Sequence, residues 1–119
     1  MASIDNIDLY FDVEDQDANF AITPDFSFED HEKEFKWSFT MKFFESDLVF
    51  SDDFIYETSQ IIDPKDPKEV FKVKINKDRI DFDLGRAKIY VDVELKPVQA
   101  LTPASTRSNR VLIRKSDFD

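Results

Sequence analysis

Four carboxylates in a short stretch are the first residues of this chain that could do chemistry. Asp12, Glu14, Asp15 and Asp17 fall within six positions, and carboxylate oxygens are ligands that Ca²⁺ prefers. The segment from Asp15 to Asn19 matches the start of an EF-hand loop. However, Phe20 and Phe26 occupy the positions that require glycine and glutamate. We therefore expect no EF-hand. The four carboxylates are candidates for a calcium site of another type, and the alternative is an acidic loop that faces solvent.

Catalytic residues are scarce in this sequence. His31 is the only histidine, it lies in the polar run 29–34, and the chain has no cysteine. Zinc or iron sites of the usual ligand sets therefore cannot form, and a Ser-His-Asp arrangement has no Gly-x-Ser-x-Gly elbow to support it. A chain with one glycine also lacks phosphate-binding glycine loops. We predict that the protein is not an enzyme, needs no cofactor and takes no small-molecule substrate, and that His31 faces solvent.

Charge is distributed unevenly along the chain. Residues 1–59 carry 16 acidic against 3 basic side chains, whereas residues 60–119 carry 10 acidic against 13 basic ones. Arg107, Arg110, Arg114 and Lys115 cluster near the end, and we predict that they contact a partner. This polarity favours head-to-tail contact between copies or docking onto a basic partner; the alternative is simple solvation of acidic loops.

Two kinds of partner are disfavoured by composition. A net charge of −10 opposes binding to the phosphate backbone of nucleic acids. No segment approaches the roughly 20 apolar residues of a membrane helix, so we expect no membrane contact either.

These candidate residues must be positioned by strands. Between Phe35 and Phe43 every odd position is large and apolar and every even position is polar, which is typical of a strand buried on one face. The same alternation recurs at 7–13, 71–75 and 87–95. It predicts an all-β protein of one domain over residues 1–119, folded as an antiparallel β-sandwich of immunoglobulin-like or jelly-roll-like type.

The alternation also predicts which side chains are buried. A strand map follows from it, with a long loop around residues 98–102 and no convincing helix. The expected strands are 6–13, 19–23, 25–28, 34–44, 47–51, 53–58, 69–76, 79–83, 86–96 and 107–115, and the alternative that 25–28 continues 19–23 as one strand stays open. The expected core contains Phe35, Trp37, Phe39, Met41, Phe71, Val73, Ile89, Val91 and Val93, with Lys36, Lys42, Lys72, Lys74 and Lys88 outside it.

The second half of the chain carries a resemblance to a known class of protein. A strand with Val73 and Ile75 leads through a polar turn to Leu84-Gly85, then to a strand from Ile89 to Leu95 and a closing strand at 110–113. Over residues 69–115 this order resembles small immunoglobulin-like β-sandwich proteins of tailed-bacteriophage virions.

The resemblance implies a structural or accessory role in a virion that is assembled in the host cytoplasm. Capsid decoration, head–tail joining and baseplate assembly are the roles that it suggests, with other virion proteins or further copies of the chain as partners. Two alternatives stay open: an acidic inhibitor that mimics nucleic acid in the cleft of a host enzyme, and a sandwich module that binds carbohydrate or protein.

Overall fold

Eight strands account for most of the chain. The computed structural model describes residues 2–47, 51–82, 85–98 and 104–118. The strands are β1 (Ser3–Glu14), β2 (Asp17–Ser27), β3 (Trp37–Glu45), β4 (Asp53–Ile62), β5 (Phe71–Asn76), β6 (Arg86–Pro97), β7 (Ala104–Arg107) and β8 (Val111–Arg114). Short 3₁₀ helices lie at Asp30–Glu34, Lys77–Arg79 and Lys115–Phe118.

The strands form two antiparallel sheets. The three-stranded sheet has the order β1-β2-β5, and the five-stranded sheet has the order β4-β3-β6-β7, with β8 also paired to β6. Their apolar faces pack against each other around one hydrophobic cluster. The prediction of a single-domain antiparallel β-sandwich is confirmed.

Alternation along the strands decides which side chains enter this core. Eight of the nine predicted core residues are buried; Phe35 is only partly buried and stacks on Trp37 with ring centroids 5.4 Å apart. All five predicted outward lysines are exposed. The register inferred from the sequence is therefore the register of the folded chain.

Trp37 links the core to the segment that precedes β3. Its indole N–H donates to the backbone carbonyl of Glu32 at 3.0 Å. The buried Glu32 carboxylate in turn accepts the backbone N–H groups of Ala2 at 2.7 Å and Glu29 at 2.9 Å. Burial disfavours the charged Glu32 carboxylate, but these N–H donors outweigh it and lower its pKa.

The strand map from the sequence is wrong at residues 79–82. The predicted strand 79–83 begins in a 3₁₀ helix at Lys77–Arg79 and continues without strand pairing to Phe82; Asp83 lies outside the described residues. In the predicted strand 47–51, positions 47 and 51 are not strand, and 48–50 lie outside the described residues.

The last predicted strand is two strands. The sequence predicts one strand over 107–115, whereas β7 covers Ala104–Arg107 and β8 covers Val111–Arg114. Ser108 lies between them: its N–H donates to the Val91 carbonyl at 2.7 Å, and its Oγ accepts the Val91 N–H at 2.7 Å. The hydroxyl of Ser108 thus replaces one backbone carbonyl as the acceptor for β6. The register against β6 shifts at this point, between its pairing with β7 and its pairing with β8.

Asn109 connects the two sheets at one corner of the sandwich. Its Oδ1 accepts the backbone N–H of Leu9 at 2.7 Å, and its Nδ2 donates to the Leu9 carbonyl at 3.2 Å. Leu9 belongs to β1, an edge strand of the three-stranded sheet. One side-chain amide therefore supplies both hydrogen bonds that a neighbouring strand would supply there.

The first prediction concerns Trp37. Trp37→Ala removes a buried ring from the core, and we expect the free energy of unfolding to fall by about 3–5 kcal/mol. Urea unfolding followed by far-ultraviolet circular dichroism measures the change. Tryptophan fluorescence cannot follow unfolding of the variant, because Trp37 is the only tryptophan. Phe54→Ala is the control, since Phe54 is 58% exposed. Equal losses in the two variants would contradict the placement of Trp37.

The second prediction concerns Asn109. Asn109→Ala leaves the N–H and carbonyl of Leu9 without these partners, and we expect a loss of about 1–2 kcal/mol in stability. Amide hydrogen exchange at Leu9 should accelerate more than exchange within β3. Asn109→Asp keeps the acceptor and removes the donor, so its exchange at Leu9 should lie between wild type and Asn109→Ala. Unchanged exchange in both variants would exclude this connection.

Candidate functional site

The four candidate calcium ligands lie around the β1–β2 hairpin. Glu14 pairs with Asp17 across the ladder, and Asp15 adopts a left-handed φ of 56° in the two-residue turn between the strands. Asp17 accepts a hydrogen bond from the Asn76 side chain at 3.3 Å. Within the described ranges, no three His, Cys, Asp or Glu side chains are arranged to hold a metal. The hairpin thus presents these acids separately.

His31 lies in the 3₁₀ helix Asp30–Glu34. Its side chain is 74% exposed, and Nδ1 is 3.6 Å from a carboxylate oxygen of Glu29. No serine hydroxyl is hydrogen-bonded to this histidine among the contacts of the described chain. The structure therefore places His31 where the sequence predicts, on the surface.

Of the four predicted partner contacts, Arg107 is engaged within the protein. Its Nε and Nη2 donate to the two carboxylate oxygens of Asp92, at 2.6 Å and 2.9 Å. Its guanidinium also lies over the Tyr90 ring, 4.4 Å from the centroid. The paired Asp92 carboxylate raises the pKa of Arg107 above its usual range. Arg107 thus supports the surface around Tyr90 instead of offering a free cation.

Tyr90 lies on the outer face of β6, where charged and aromatic side chains bury it. Its hydroxyl donates to the carboxylate of Asp52, and its ring stacks on Phe44 with centroids 5.5 Å apart. Arg110 lies on the ring as well, 5.3 Å from the centroid. Burial, together with the bond to Asp52, raises the pKa of Tyr90 to about 12.

Asp52 forms hydrogen bonds within the group of side chains around Tyr90. Its carboxylate accepts the backbone N–H of Asp47 at 2.9 Å in addition to the Tyr90 hydroxyl. These two donors lower the pKa of Asp52, and the nearby guanidinium of Arg110 acts in the same direction. Asp52 therefore stays ionised at neutral pH and holds Tyr90 in its neutral form.

Two predicted contacts, Arg110 and Arg114, lie together with Lys88, which the sequence placed on the outward face of its strand, and with Arg86, which the sequence did not single out. In the ladder between β6 and β8, Arg86 pairs with Arg114 and Lys88 pairs with Leu112. The intervening Ala87 and Ile113 are buried, so the charged members point outward from the five-stranded sheet. Arg110 precedes β8 and lies beside them over Tyr90. We call Arg86, Lys88, Arg110 and Arg114 the basic patch.

The fourth predicted contact, Lys115, lies just outside the basic patch. It begins the last 3₁₀ helix, and its backbone N–H donates to the carbonyl of Gly85 at 2.6 Å. Gly85 has a φ of 78°, a conformation that side chains disfavour. This turn places Arg86 at the start of β6, next to Arg114.

The basic patch is exposed and forms no salt bridge with the described residues. No carboxylate lies within 4.0 Å of Arg86, Lys88, Arg110 or Arg114 in the described part of the chain, and all four residues are exposed. Arg86 and Arg114 are directly opposite each other, and like charges in that position destabilise a sheet. The fold therefore maintains a repulsive pair on an open surface.

The sheet face beside the basic patch carries an open groove. This shallow groove of about 440 Å³ crosses the same sheet face over Thr40, Phe44, Asp92 and Arg107. Over the described ranges there is also no helix long and apolar enough to cross a membrane. The arrangement suits contact with a macromolecular surface better than enclosure of a small molecule.

Comparison of the sequence with protein-family models and with curated proteins gives no match. Function must therefore be argued from the basic patch, its aromatic support and the distribution of charge.

The third prediction concerns Tyr90. Because its folded pKa is raised, the neutral ring stabilises the fold fully below about pH 10, the ordinary value of a tyrosine. This contribution is lost as pH rises from about 10 to about 12. Absorbance of tyrosinate at 295 nm should show one group ionising near pH 12, and Tyr90→Phe should remove it. Persistence of that group in Tyr90→Phe would contradict the assignment.

Proposed function

We propose that this protein is a non-enzymatic structural or accessory protein of a tailed-bacteriophage virion and that it attaches to its partner through the basic patch. The virion setting comes from the resemblance over residues 69–115. The mode of attachment comes from the arrangement of charge. The observation that carries the proposal is the exposed pair of Arg86 and Arg114, which has no salt-bridge partner among the described residues of a protein with net charge −10.

A protein partner fits this surface better than nucleic acid does. The patch has four cations, and acidic residues outnumber basic ones in the chain by 26 to 16, so an extended phosphate backbone would meet repulsion beyond it. A carboxylate-bearing protein surface needs only a local match. Guanidinium groups pair with carboxylates through two parallel hydrogen bonds, which also fixes orientation.

One arginine of the patch, Arg110, is supported by neighbouring side chains. Leu112 lies between Arg110 and Arg114 in sequence and is partly exposed, so it offers an apolar contact among the cations. Tyr90, Phe44 and Asp52 support Arg110 from below. A supported guanidinium loses less side-chain entropy on binding than a freely moving one.

The fourth prediction tests this proposal. Reversing two charges in Arg110→Glu/Arg114→Glu should leave the fold intact, because both side chains are exposed. It should reduce incorporation into purified virions at least tenfold, measured by quantitative mass spectrometry of the particles. The matched control is Lys36→Glu/Lys96→Glu, which makes the same charge change at the other end of the sheet and should incorporate normally.

Two outcomes would overturn the proposal. One is normal incorporation of Arg110→Glu/Arg114→Glu with circular dichroism unchanged from wild type. The other is the pattern of a nucleic-acid mimic: the arginines are dispensable, whereas neutralising carboxylates among residues 5–32 abolishes binding to a nucleic-acid-binding host enzyme.

A further inference from the structure

A row of acidic side chains lies on the outer face of the three-stranded sheet, opposite the basic patch. On β1, Asp8, Tyr10 and Asp12 alternate with the inward residues Leu9 and Phe11. Tyr10 is 59% exposed, and within the described chain neither aspartate has a cation within salt-bridge distance. We call Asp8, Tyr10 and Asp12 the acidic row.

The acidic row matches part of the basic patch in order and spacing. Arg110, Leu112 and Arg114 also follow one another in steps of two residues. In extended chain, positions four apart are separated by about 13–14 Å, so the backbone positions of the two aspartates and of the two arginines have similar spacing. Each set has one partly or largely exposed apolar group at its centre. The order acid, aromatic, acid in one set thus matches the order base, leucine, base in the other.

The surface beside the acidic row has room for long side chains. Asp12 pairs with Asn19 and Tyr10 pairs with Ala21 across the ladder with β2. These short side chains form the floor of a groove of about 580 Å³. Lys72 and Lys74 of β5 line the far side of this groove, so the arginine side chains of another molecule have room only on the side of the carboxylates.

We propose that the acidic partner of the basic patch is the acidic row of a second copy of this chain. This inference rests on the proposed function and names the partner of the same site. The acidic row belongs to one sheet and the basic patch to the other, and their outer faces lie on opposite sides of the sandwich. The contact is therefore head-to-tail, and each copy keeps one free surface of each sign. Such contacts produce open chains or closed rings of copies.

The fifth prediction uses two neutralised variants. Arg110→Gln/Arg114→Gln removes the charge of the basic side, and Asp8→Asn/Asp12→Asn removes that of the acidic side. Wild type should form oligomers whose average size increases with concentration in sedimentation velocity at 0.1 M salt and decreases toward 1 M salt, since screening weakens ion pairs. Each variant alone should remain monomeric.

The equimolar mixture of the two variants provides the decisive measurement. Each variant retains one intact surface, and the two retained surfaces are complementary, so the mixture should stop at a 1:1 heterodimer. The controls Lys36→Gln/Lys96→Gln and Asp66→Asn/Glu69→Gln carry the same charge changes elsewhere on the surface and should assemble as wild type does.

The outcomes separate this inference from the proposed function. A monomeric wild type at millimolar concentration, or a mixture that remains monomeric while wild type assembles, overturns the inference. If the wild type is monomeric and Arg110→Glu/Arg114→Glu still fails to enter virions, the basic patch has another acidic partner and the proposed function stands. If that variant enters virions normally, both are wrong.

Discussion

Strand β6 is the element on which the rest of this structure depends. It pairs with β3 along one edge and with both β7 and β8 along the other. Its inward residues from Ala87 to Leu95 are buried in the core, and its outward residues include Arg86, Lys88 and Tyr90. Because side chains alternate strictly along a strand, one register fixes both the hydrophobic core and the chemistry of the outer surface.

At residues 108 and 109 the chain passes from β7 to β8, and both strands pair with β6. The same corner also joins the two sheets. Ser108 replaces a backbone acceptor of the ladder with its hydroxyl, and this moves the chain from β7 to β8. Asn109 then bonds to both backbone polar groups of Leu9 on β1. Positions 107 and 110 are thereby turned toward Tyr90 from two sides of the same corner. The arrangement of the arginines is thus a consequence of backbone pairing.

The distribution of charge on the five-stranded sheet is the reason for proposing that the protein binds another macromolecule. Arg107 is paired with Asp92 and supports Tyr90, whereas the cations of the basic patch point outward without a carboxylate partner among the described residues. The groove on this sheet face is shallow and open, which suits contact with another surface better than enclosure of a small molecule. Salt-dependent, orientation-specific attachment is what such a surface supports best.

The sequence by itself determined the fold class and the inward face of each main strand. A period of two in hydrophobicity is a local property, so the burial of residues such as Trp37 and Val91 follows from the sequence pattern alone. The sequence also located a basic cluster at 107–115. The sequence did not reveal the break at Ser108, because a polar side chain standing in for a backbone acceptor leaves no periodic signal. Nor could the sequence show that Arg107 pairs with a carboxylate, Asp92, whereas Arg114 lies opposite another cation, Arg86. Those relations join positions 15 and 28 residues apart, and only the pairing of β6 with β7 and β8 brings them together.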